Sequence, residues 1–98
     1  MRKDGIPKRF QLAGHAIQVR ILSRKEWPHG SQAIGIYVPD MYRIDILRRR
    51  HMTAMQQVFC HEFIHAVLTI AGHDALSNDE DFVDRLGHLL QQALTTFE

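Results

Sequence analysis

The sequence predicts an α+β fold: a small antiparallel sheet of three or four strands, packed on a central helix and on a second, C-terminal helix. Two observations carry this. Between Phe10 and Leu47 apolar and polar residues alternate in short runs, the period of strands buried on one face. From Thr53 onward apolar residues recur every three or four positions in two long segments, the period of helices. At 98 residues, 45% hydrophobic and 23% charged, the chain suits one domain over 1–98 with a single core, small enough that a bound metal would add noticeably to stability. No repeat, linker or low-complexity segment divides it.

Residues 1–9 hold Arg2, Lys3, Lys8 and Arg9 with Gly5 and Pro7, and read as a loose lead-in. Phe10 to Leu12 and His15 to Leu22 flank Ala13-Gly14, a two-residue connection that predicts a hairpin. Residues 23–32 are polar and broken by Pro28 and Gly30, hence a loop, with Trp27 covering a core edge. Ala33 to Val38 and Tyr42 to Leu47 form a second strand pair through Pro39-Asp40-Met41. Ile34, Ile36 and Val38 alternate on one side of its first strand, and Tyr42, Ile44 and Ile46 on one side of its second.

Thr53 to Gln56 fits a capping box, and Gly72 supplies a helix stop. At 100° per residue Met52, Met55, Phe59, Phe63, Ala66 and Ile70 share one face, while Ala54, Val58, His61, His65 and Leu68 share another. Apolar residues therefore surround most of this helix, which marks it as central and buried. Residues 73–78 connect it to a second helix from about Asp79 to Thr96, whose apolar stripe is Phe82, Leu86, Leu89, Leu90, Ala93 and Phe97. Glu80, Asp84, Gly87 and Gln91 make a neighbouring seam.

A formal charge of +1 gives no footprint of a nucleic-acid binder, and the Arg48-Arg49-Arg50 run reads as solvated surface. One cysteine, Cys60, excludes an internal disulfide and fits a reducing compartment, and its place in the apolar helix makes it a small buried hydrophobe. With neither a signal peptide nor a membrane-spanning run, the expected location is the cytoplasm.

His61, Glu62 and His65 form H-E-x-x-H. Residues four apart lie on one helical face, so the two imidazoles can share one metal ion. Glu62, about 100° further round, can take a proton from a metal-bound water. Three polar groups on an otherwise apolar helix carry a desolvation cost unless they are paired or metal-bound, which favours a metal site. Catalytic zinc takes three protein ligands and leaves one position for water. Glu80, in the first turn of the second helix, is the chosen third ligand. Asp84, one turn on, can accept a hydrogen bond from a ligating histidine, and Gly87 lets the two helices approach. Two alternatives stand. Ser77-x-x-Glu80 matches a capping box, and His73 follows the helix stop closely enough to reach the metal or to act as a donor over the cleft. His15, His29, His51 and His88 read as surface residues.

H-E-F-I-H at 61–65 with Glu80 and Asp84 downstream resembles the gluzincin arrangement of H-E-x-x-H and E-x-x-x-D. Residues 80–87 look like the E-x-x-A-[ND]-x-F-A segment of the ImmA/IrrE-type metallopeptidases, with Val83, Leu86 and Gly87 in place of alanine, phenylalanine and alanine. The resemblance spans roughly residues 33–94. It implies Zn2+ on His61, His65 and Glu80, Glu62 as general base, Asp84 orienting His61, and hydrolysis of a peptide bond in a protein substrate. Tyr37, Tyr42 and His73 are the candidate oxyanion donors. Two other classes remain: a zinc-stabilised binding or regulatory module without turnover, and a phosphate-binding surface built on Arg48 to Arg50.

Overall fold

The computed structural model describes residues 5–98; the charges of Arg2 and Lys3 lie outside the described residues. In chain order the elements are β1 (Arg9–Leu12), β2 (His15–Leu22), β3 (Gly35–Val38), a 3-10 turn (Pro39–Met41), β4 (Arg43–Leu47), α1 (Met52–Ile70), α2 (Asp74–Ser77) and α3 (Glu80–Thr96). The class is α+β, as the two periodicities predict. Ala13 and Gly14 both take positive φ, 50° and 81°, so the β1–β2 hairpin closes through the left-handed turn that matches strand twist.

The sheet is mixed, where the sequence led us to expect it antiparallel. Strand order is β1-β2-β4-β3. β2 pairs with β4 in parallel, Val19 opposite Ile44 and Ile21 opposite Ile46, while the β1–β2 and β3–β4 pairs are antiparallel. The reason lies in β4. Ile44, Asp45, Ile46 and Leu47 are all buried, so this strand is covered on both faces and takes a neighbour on each edge. That position leaves β3 at the edge of the sheet.

α1 lies across one face. Ile17, Val19, Tyr37, Ile44 and Ile46 from the sheet form one core cluster with Met55, Val58, Phe59, Cys60 and Ala66 from the helix. From Ala54 to Ile70 every residue of α1 is buried or half-buried, the central helix that its composition predicts. Its start differs by a residue or two, with His51 rather than Thr53 at the N-cap. Its end is a Schellman turn: His73 N–H donates to Leu68 O (2.8 Å), Gly72 N–H to Thr69 O (3.1 Å), and Gly72 has φ 84°. Ile6 is fully buried in the same core, so the lead-in is anchored there.

On β3 the face toward α1 is the reverse of what the isoleucines suggest. Tyr37 is buried and Ile34 is 41% exposed. Gly35 explains the choice: a Cβ there would lie 2.3 Å from Val58 Cγ1, so the helix sits where only glycine leaves room. Ile36 pairs with Asp45 on the opposite face, where residues 23–32 dock. Asp45 is fully buried and binds the Arg20 guanidinium (2.9 and 3.0 Å), the Arg43 guanidinium (3.0 and 3.3 Å) and His29 Nε2 (2.8 Å). His29 is therefore a tether for the loop and not the surface residue that its setting suggests; Trp27 packs edge-on against it at 4.9 Å.

α3 packs on α1 through Val83 and Gly87, both buried, while Leu89 and Phe97 of the anticipated stripe are 64% and 75% exposed. A Cβ on Gly87 would meet His61 Cα at 3.1 Å and His61 N at 3.2 Å. The two helices thus touch backbone to backbone beside the first histidine.

Candidate metal centre

This contact carries Glu80 to the histidines. Asp79 caps α3, its carboxylate accepting Phe82 N–H at 3.1 Å, which frees Glu80 in the first turn to point at α1. Glu80 Oε2 lies 3.2 Å from His61 Nε2, and Oε1 lies 3.3 Å from His65 Nε2. Ligand atoms of these three residues all fall within 4.8 Å of one another. Zinc bound at about 2.0–2.1 Å separates its tetrahedral ligands by about 3.3–3.4 Å, so the two short separations fit a common ion. His61, His65 and Glu80 form a group that could hold a metal ion.

The other imidazole nitrogens have partners of their own. His61 Nδ1 is 3.5 Å from Asp84 Oδ1, and His65 Nδ1 is 3.0 Å from Ser77 Oγ. Ser77 is buried and also contacts Thr69 Oγ1 at 3.3 Å. These contacts fix both rings with Nε2 directed toward Glu80. Burial lowers the pKa of His65, which favours the neutral form that binds metal.

Glu62 is 8% exposed, and its Oε1 accepts the backbone N–H of Tyr37 at 3.0 Å. Burial raises its pKa to about 7 against the opposing pull of His61 and of that N–H, and Glu80 adds to the rise. The helix thus presents a carboxyl poised near neutrality beside the two histidines. Cys60, two positions earlier, is buried, and burial pushes its thiol up to about 11, so it is an inert hydrophobe.

A cleft of about 450 Å3 opens over the group, lined on one side by Gly35, Ile36, Tyr37 and Pro39 and on the other by Ser77, Asn78 and Glu80. Tyr37 lines it, whereas Tyr42 stacks on His15 at 4.4 Å, away from it. His73, the alternative third ligand or cleft donor, is exposed, precedes α2 as its N-cap and is not among the lining residues. Ser77 supports His65, as Asp84 supports His61. Sequence reasoning missed it because S-x-x-E looked like a cap for α3; Asp79, itself a preferred N-cap residue with Phe82 three positions on, was the signal that releases Ser77.

The molecule is an α+β domain with a His-His-Glu group between two helices at a sheet edge. Comparison of the chain with protein-family models, with curated proteins and with solved structures found no match. Among the described residues no helix is long and apolar enough to cross a membrane.

Proposed function

We propose that this chain is a zinc-dependent metallopeptidase that cleaves a protein or peptide substrate, with gluzincin-like use of His61, His65 and Glu80 as ligands and Glu62 as general base. The observation that carries it is the convergence of both His Nε2 atoms and the Glu80 carboxylate beside a buried Glu62, at the open edge of a sheet. His73 stands outside the group, which supports three protein ligands and a position left for water rather than a closed four-ligand structural site. The placement of Glu80 and Asp84 one turn apart on α3, both facing His61, supports kinship with the ImmA/IrrE-type metallopeptidases.

His61, His65 and Glu80 would hold a divalent ion, which would supply Lewis acidity to a water and to the scissile carbonyl. Glu62 moves the proton. Its Oε1 is held by Tyr37 N–H, which leaves Oε2 to receive the proton from water and return it to the departing amine. β3 aligns the substrate. Ile34 O accepts from Leu47 N, so Ile36 and Val38 turn their peptide groups toward β4 while Gly35 and the Tyr37 carbonyl turn outward, where an extended peptide can pair. A single buried thiol and the absence of any disulfide support a reducing, cytoplasmic setting.

Glu62→Gln tests the reading. The variant should bind zinc with unchanged stoichiometry while cleavage of a casein or peptide-library substrate falls by about 10²–10⁴-fold. Cleavage at the wild-type rate by the zinc-loaded variant would sink the mechanism.

A further inference from the structure

The cleft does not stop at the metal group. Past Gly35, His61 and Glu62, which line both parts, it continues into a second lobe of about 390 Å3. This lobe follows α1 toward its N-terminus over His61, Val58, Gln57 and Ala54, with Ile34 beside it. Two charged groups besides the metal-site residues line it, Asp84 and Arg49. Asp84 already has cationic or hydrogen-bonding neighbours, with Oδ1 3.5 Å from His61 Nδ1 and Oδ2 3.6 Å from His88 Nε2. Arg49 is exposed, and among the described residues it forms no ion pair.

We propose that Arg49 determines specificity in this lobe and selects peptides that present a carboxylate there, a deepening that rests on the peptidase reading above. The guanidinium fork matches a carboxylate geometrically, and the apolar side chains of Ile34, Ala54 and Val58 beside it reduce the competition from water. Distance sets the position. Ala54 is seven residues from His61, about 10 Å along the helix, a span that an extended peptide covers in about three residues. Antiparallel addition to β3, the stronger pairing, runs the peptide toward Ile34 with its C-terminal part in this lobe. The selected carboxylate therefore lies two or three residues C-terminal to the scissile bond, on a Glu or Asp side chain or at the chain end.

The test measures binding separately from turnover. Fluorescein-labelled heptapeptide libraries with Glu, Gln or Lys fixed at one position, each made as C-terminal acid and as amide, are titrated by anisotropy against three zinc-loaded proteins. These are the Glu62→Gln variant alone, the same variant with Arg49→Gln, and the same variant with Arg49→Glu. With Arg49 intact, Glu libraries should bind about fivefold more tightly than Lys libraries. Arg49→Gln should abolish that preference and Arg49→Glu should reverse it. A preference that follows acid over amide assigns the chain end; one that follows the fixed Glu assigns the side chain. Equal affinity for Glu and Lys libraries, a Glu preference that survives Arg49→Glu, or no binding at all overturns the inference. Arg49-dependent binding without cleavage by the Glu62 protein would instead remove the peptidase reading and leave Arg49 as a recognition residue.

Discussion

At the scale of single residues, the two histidines are alike in sequence and unlike in surroundings. His61 has an exposed carboxylate, Asp84, behind it, whereas His65 has a buried hydroxyl, Ser77. A buried hydroxyl holds a ring by geometry rather than by charge, so its loss loosens the ligand without altering the net charge of the site. Ser77→Ala is expected to weaken zinc binding by about tenfold, measured by competition with a chromophoric chelator, while Asp74→Ala on the exposed side of α2 leaves it unchanged. The spacing of His61, Glu62 and His65 was legible because a helix converts sequence distance into a fixed angle. Glu80 was legible because it stands in the first turn of the second helix on the seam of Asp84 and Gly87, where that helix can approach the histidines. Ser77 was not, since a hydroxyl gains its partner only through the tertiary fold.

Among the elements, β4 organises the sheet and Asp45 ties it together. One carboxylate joins β2 through Arg20, its own strand through Arg43 and the 23–32 loop through His29. Burial would raise its pKa, but the hydrogen bonds from Arg20, His29 and Arg43 outweigh this and hold it at about 2, below the ordinary 3.8. A carboxyl depressed on folding stabilises the fold fully above its unfolded pKa and ceases to as pH falls through the folded value. The tie should therefore contribute about 2 kcal/mol at neutral pH and fade between about pH 4 and 2. In Asp45→Asn this acid limb should be missing from a plot of urea-unfolding free energy against pH, alongside a lower stability at pH 7. Hairpin β1–β2 could be read from Ala13-Gly14 because its turn is local. The parallel β2–β4 pair could not, since it depends on which strand needs cover on both faces. The face of β3 was misjudged for a related reason: hydrophobicity favoured Ile34 and Ile36, and the space left by α1 favoured Gly35.

For the whole molecule, the His61-His65-Glu80 group spans α1 and α3, so a metal ion held there would couple occupation of the site to docking of the helices. A ligand that binds only the folded chain stabilises it by about 2.7 kcal/mol at a hundredfold excess over Kd, which for a domain of this size is roughly 10–20 °C in Tm. Zinc should raise the melting temperature by that order, EDTA should reverse the rise, and His61→Ala should show none of it. Gly87 gives this coupling a further property. Its contact with the backbone of His61 fixes how far Glu80 stands from the histidines. Gly87→Ala would part the helices by a few tenths of an ångström, about the difference between a zinc–oxygen distance of about 2.0–2.2 Å and a calcium–oxygen distance of about 2.3–2.6 Å. Competition titrations on that variant should show a narrower margin of zinc over calcium. If the group holds zinc as proposed, the hydrogen atom that stands for a side chain at Gly87 sets the calibre of the ion that the chain would grip.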